Sequence, residues 1–128
     1  MSFTRQAGLI ACLLALTTVP ALGALHLRLT KSVPSADALI QESPDVIQLW
    51  FSQGAELSVS NVGLEGPNGS VDLGDVQGTD DPTSFKATVP NSLGEGEYQV
   101  SWRTAGDDGH VLRGEYSFSV SVADSQRR

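Results

Sequence analysis

Residues 97–104, Glu97-Tyr98-Gln99-Val100-Ser101-Trp102-Arg103-Thr104, alternate polar and apolar side chains along most of their length. A period of two belongs to a β-strand, whose successive side chains point to opposite faces, so Tyr98, Val100 and Trp102 share one face. The closing stretch Gly114-Glu115-Tyr116-Ser117-Phe118-Ser119-Val120 repeats the pattern and places Tyr116, Phe118 and Val120 together. Two such faces make a core. Gly94-Glu95-Gly96 breaks the chain before the first of these stretches, and Gly66-Pro67-Asn68-Gly69 reads as a hairpin turn.

Working outward, the same alternation and punctuation predict strands over His26–Lys31, Val46–Ser52, Glu56–Glu65, Ser70–Leu73, Ser84–Val89, Glu97–Thr104 and Gly114–Val122. Pro34 and Pro44 interrupt the early segment, and Ser35–Ile40 has room for a helical turn at most. No window holds a helical period, and there is no internal repeat, low-complexity tract or second domain. The expectation is all-β: a seven-stranded Greek-key β-sandwich or barrel of the immunoglobulin-like or cupredoxin-like kind. Trp50 and Trp102 are read as core-facing, and Gly78–Pro82 as a solvated turn.

The chain has 128 residues, with 15 acidic groups against 8 basic ones and a formal charge of −7. That length allows one domain. The acidic balance, with no basic stripe, argues against nucleic acid or an anionic membrane as partner. Residues 1–24 read as a cleavable export signal, with Arg5 ahead of the apolar run Ala7–Leu16 and small residues at Ala21-Leu22-Gly23-Ala24. The run falls short of the roughly 20 apolar residues that span a bilayer, so the mature chain is not expected to insert. Cys12 lies too early in the run for a lipid attachment site. Export makes the periplasm the expected compartment, with residues 25–128 as the mature domain. Taking Arg5 from the 8 basic groups leaves 7 against 15, a formal charge of −8. The only Met and the only Cys also lie in residues 1–24, so the mature domain has no sulfur.

Chemistry must then come from nitrogen and oxygen. The mature chain has two histidines, His26 near its start and His110 in Gly106-Asp107-Asp108-Gly109-His110. In extended backbone Asp108 and His110 project to the same side, where one cation could meet a carboxylate oxygen and an imidazole nitrogen. His26 and a free amine would complete a nitrogen-rich planar set, the geometry that favours Cu(II); the soft ligands that favour Cu(I) are absent. Spacing alone favours turn chemistry for Asp108-Gly109-His110, with Gly109 relaxing the backbone and Asp108 bonding nearby amides. Arg103 either pairs with a carboxylate near this loop or stays on the surface.

The opening His26-Leu27-Arg28-Leu29-Thr30-Lys31-Ser32-Val33-Pro34 resembles the start of the bacterial copper-resistance protein C (CopC) family. Gly96–Arg103, Asp108-Gly109-His110 and Gly114–Val120 resemble its closing signature, and Pro44–Ser52 its early core strand. The resemblance implies a periplasmic β-sandwich that binds Cu(II) through the α-amino group and through His26, Asp108 and His110. It places the chain in the branch with a Cu(II) site only, because residues for a Met-rich Cu(I) site are missing. It further implies a non-enzymatic role in copper resistance and homeostasis, sequestering copper or delivering it to a membrane protein of the copper-resistance protein D (CopD) kind. Val111 stands where the family often has Pro, and Gly106-Asp107 where it has a Ser-Ala pair.

Two ligand arrangements stay open. Chelation by the amine and imidazole of one residue requires His26 to be first, hence a cut after Leu25. A cut after Gly23 would instead leave Ala24-Leu25-His26, whose amine, two backbone amides and imidazole can surround Cu(II) in a plane without Asp108 or His110. Competing functions are a copper-dependent oxidative enzyme with a histidine-brace-like site and a metal-free immunoglobulin-like interaction module.

Overall fold

The computed structural model describes residues 26–122; the signal segment, both candidate cut sites and the Arg127-Arg128 tail lie outside them. Nine strands run in chain order: β1 (Leu29–Val33), β2 (Leu39–Ile40), β3 (Val46–Phe51), β4 (Asn61–Gly66), β5 (Gly69–Val71), β6 (Gln77–Gly78), β7 (Ser84–Thr88), β8 (Gly96–Ala105) and β9 (Val111–Val120). Each of the seven predicted strands has its counterpart. The other two, β2 and β6, are two-residue edge pairings too short to leave a pattern in sequence.

The strands form two sheets, ordered β1-β3-β7-β6 and β2-β9-β8-β4-β5. Neighbours such as β3 with β7 and β4 with β8 are distant in sequence, so the chain crosses between sheets, as a Greek-key sandwich requires. Pairing is antiparallel throughout except for β2, which lies parallel to the end of β9. The inward faces meet in one core of Ile47, Leu49 and Phe51 from β3, Phe85 and Ala87 from β7, Val62 and Leu64 from β4, Tyr98 and Val100 from β8, and Phe118 and Val120 from β9. Phe51 stacks on Phe85 at 5.2 Å between ring centroids and meets Trp102 edge-on at 5.2 Å, so aromatic contacts bridge the two sheets.

Trp102 is inward as expected, but Trp50 is not. Alternation along β3 buries Ile47, Leu49 and Phe51, which turns Trp50 to the outer face, where Lys31 Nζ lies 4.5 Å from its ring centroid. The bulge between Leu29 and Lys31 in β1 puts that lysine opposite Trp50.

Two other expectations change for local reasons. Glu56–Ser60 does not extend the strand: Leu57–Val59 is a 3-10 turn, held by Ser60 Oγ donating to the Glu56 carbonyl at 2.7 Å and Ser58 Oγ donating to Glu56 Oε1 at 2.9 Å. Serine side chains compete here with the ladder. Ser35–Ile40 forms no helix; the Ala38 N–H closes a turn onto the Ser35 carbonyl, Asp37 takes φ 62°, and Leu39–Ile40 then joins β9.

The β8–β9 hairpin carries the site, and it is longer than its sequence pattern suggests, with register pairs from Gly96↔Val120 to Ala105↔Val111. Gly114 lies opposite Trp102, and a Cβ there would collide with the indole. Gly114→Ala is therefore expected to destabilise the fold by about 1–3 kcal/mol, as overpacking does, read as a lower urea midpoint.

Candidate metal centre

Between β8 and β9 the chain turns through Gly106-Asp107-Asp108-Gly109-His110, with the Gly109 N–H bonded to the Gly106 carbonyl at 3.0 Å and Gly109 at φ 77°. That left-handed conformation is open to glycine and strained for most other residues. It brings Asp108 beside the backbone and ring of His110: the His110 N–H donates to Asp108 Oδ1 at 3.0 Å, and His110 Nδ1 lies 2.9 Å from Asp108 Oδ2. The turn reading of this loop therefore holds, and the segment is not extended: it is the left-handed Gly109, not a strand period, that brings the two side chains together.

The pair is open to solvent, with the His110 side chain 80% and the Asp108 side chain 52% exposed. Asp108 is held below the ordinary carboxylate range, first by the His110 backbone N–H and then by the His110 ring, with partial burial opposing and the His110 and His26 charges adding to the effect. A carboxylate accepts only, so the Nδ1–H···Oδ2 contact fixes the tautomer and leaves Nε2 of His110 with its lone pair outward. In this arrangement Nε2 is the ring atom available to a cation. Asp108 Oδ2 is engaged by Nδ1 and is open to a cation only after it releases that contact.

His26 stands at the same end of the sandwich, close enough to act on the Asp108 charge, but its side chain makes no hydrogen bond or ion pair with Asp108 or His110. Among the described residues no three His, Cys, Asp or Glu side chains stand together as a metal cage. Two features hold the His26 backbone in place. Leu27 is buried and its side chain reaches Gly106, where a Cβ would come 3.7 Å from Leu27 Cβ. Ser52, directly after β3, donates to the His26 carbonyl at 3.4 Å and accepts the Arg28 N–H at 3.0 Å. These positioning residues were not singled out in the sequence; Leu27 reads there as one more strand residue and Ser52 as a strand end.

The turn Leu57–Val59 braces the other side. Buried Thr104 shares a 2.7 Å hydroxyl contact with Ser60, and the Glu56 N–H bonds the Ala105 carbonyl at 2.8 Å, at the base of the hairpin. The site thus pairs rigid stems with an exposed tip, and it presents imidazole and carboxylate donors without sulfur. Nitrogen and oxygen donors of this kind suit Cu(II) and the other divalent metals of the upper first row. No helix of the described residues is long and apolar enough to cross a membrane.

The comparisons with known proteins point the same way. The family model for the CopC domain matches residues 29–121. Protein YobA of Escherichia coli K12 is 33% identical over 97 residues, covering 74% of this chain and 78% of the relative. Copper resistance protein C of Escherichia coli is 32% identical over 103 residues, covering 74% and 81%. The crystal structure of CopC from Methylosinus trichosporium OB3b superposes with a TM-score of 0.72 at 29% identity, over 80% of this chain and 100% of that one. PcoC from Escherichia coli, described as a methionine-rich copper resistance protein, superposes with a TM-score of 0.68 at 32% identity, over 75% and 99%. The present sequence has a single Met, Met1, and so departs from PcoC in that respect. With the family model spanning both sheets and the Asp108–His110 hairpin, the chain belongs to the CopC domain family.

Proposed function

We propose that the protein binds copper(II) in the periplasm for copper resistance and homeostasis, sequestering the ion or delivering it to a CopD-like inner-membrane protein, without catalysing a reaction. Copper is the cargo, and His26, Asp108 and His110 are its ligands, together with the new N-terminal amine. The observation that carries this reading is the Asp108–His110 pair at the exposed tip of a rigid hairpin, with the backbone of His26 held at the same end. An exposed donor pair gives an incoming ion or partner direct access. The periplasmic assignment rests on residues 1–24 having the layout of an export signal, and the absence of sulfur after cleavage favours Cu(II) over Cu(I).

The experiment is a competition titration of the exported protein against a chromophoric chelator at neutral pH. One Cu(II) per chain is the expected result; no affinity overturns the reading. Mass spectrometry of the same sample chooses between the two ligand arrangements. A chain beginning at His26 fits the arrangement with Asp108 and His110, and one beginning at Ala24 fits the planar tripeptide.

Acid should release the metal from the imidazole side. Protons compete for ligand nitrogens, so affinity is expected to fall at least about tenfold per pH unit as the solution is acidified below neutral. Asp108 has its pKa lowered, so its carboxylate stays ionised as the pH falls to the ordinary carboxylate range and adds no proton competition before then. A slope that steepens only near pH 4 would contradict this. Ser52→Ala removes both hydroxyl bonds to the His26 segment while the Ser52 N–H bond to the Arg28 carbonyl stays, and it is expected to weaken copper binding roughly tenfold with little change in melting temperature.

A further inference from the structure

Cross-strand pairs on the outer face of the five-stranded sheet place Asn61, Arg103 and Arg113 in one row across β4, β8 and β9. The register sets Arg103 directly opposite Arg113, an arrangement in which like charges repel. Among the described residues neither guanidinium has an ion-pair partner, although the sequence carries 15 acidic groups. Glu115, the next outward residue on β9, pairs with neither. The adjoining row holds Gly63, Ser101 and Glu115. A Cβ on Gly63 would lie 2.7 Å from Ser101 Oγ, so glycine keeps this place open. The result is a notch of ≈ 290 Å³ lined by Asn61, Gly63, Ser101, Trp102, Arg103 and Arg113.

We propose that this notch is a phosphate oxyanion site. Its lining offers two planar guanidinium forks, a hydroxyl and a carboxamide, and the bordering Glu115 carboxylate makes no ion pair with either arginine. Guanidinium forks match phosphate oxygens in geometry and charge, and a doubly charged anion between them turns their repulsion into attraction. Free phosphate and the phosphate of a lipid headgroup share this chemistry.

The test is a titration of the metal-free protein with inorganic phosphate at constant ionic strength, following the side-chain Nε–H resonances of Arg103 and Arg113 by NMR, with chloride as control. A parallel arm measures cosedimentation with phosphatidylglycerol vesicles. Saturable shifts of both arginines with phosphate, weakened at least about tenfold in Arg113→Gln, support a site for free phosphate. Cosedimentation that Arg113→Gln abolishes supports the same site reading a headgroup. The proposal is overturned if neither probe binds, if chloride reproduces the shifts, or if Arg113→Gln binds as the native protein does. Arg113 is exposed, so this variant keeps the fold, and Gly63→Ser gives a second check by filling the notch without changing charge.

Discussion

His110→Ala is expected to abolish the copper-induced rise in Tm while moving the metal-free Tm by less than about 4 °C. The second half follows from exposure: the imidazole is 80% exposed and bonds only to Asp108, and surface substitutions of that kind usually stay within about 0.5 kcal/mol. The first half follows from linkage. A ligand at about a hundred times its Kd stabilises the folded state by roughly 2.7 kcal/mol, which is about 10–20 °C for a domain of this size. Without Nε2 the loop keeps the Asp107 and Asp108 carboxylates and no imidazole. Asp108→Asn should fall between: its amide oxygen still accepts the His110 N–H, but the charge and the Nδ1–H partner are lost, and affinity is expected to drop about 10–100-fold. Differential scanning fluorimetry with and without Cu(II) reads both variants. A native-sized shift in His110→Ala would remove His110 from the ligand set and leave the Ala24-Leu25-His26 arrangement.

The largest stability effect is expected at Phe85. Its side chain is 0% exposed, stacks on Phe51 and lies opposite Leu49 in the β3–β7 register. Truncating a buried Phe to Ala costs about 3–5 kcal/mol, against a total stability of about 5–15 kcal/mol for a domain. Phe85→Ala should therefore lose much of its stability, read by urea unfolding with the slope unchanged. The effect should extend to the site. Phe51 precedes Ser52, whose hydroxyl holds the His26 segment, so loosening Phe51 should weaken copper binding even where the variant is still folded. A loss below about 1 kcal/mol would mean that the core collapses around the gap.

Much of this was legible in the sequence because the core writes itself in a period of two. Tyr98, Val100, Phe118 and Val120 alternate with polar residues and are buried together. The alternation of β3 is blurred, since Leu49, Trp50 and Phe51 are all large and apolar. Only the register with β1 and β7 tells Trp50 from its neighbours. The turn at Leu57–Val59 depended on serine hydroxyls choosing the backbone over the ladder, a local competition that periodicity does not register. At the site, spacing marked Asp108 and His110 as candidates, and the family resemblance, not spacing, singled them out as ligands. Their mutual bond, the anchoring of His26 by Ser52, and the contact of Leu27 with Gly106 depend on tertiary placement, which spacing cannot supply. Arg103 shows the same limit: its strand position was plain, but its partner across the ladder was another arginine.

The central claim is that Cu(II) is held jointly by the start of the mature chain and by the Asp108–His110 hairpin. Its most direct test is EPR of the exported protein loaded with one equivalent of Cu(II), beside His26→Ala and His110→Ala. A single tetragonal species with nitrogen hyperfine structure, altered in each variant, is the expected result. A spectrum that His110→Ala leaves unchanged, or copper that stays unbound in the native protein, would contradict the claim.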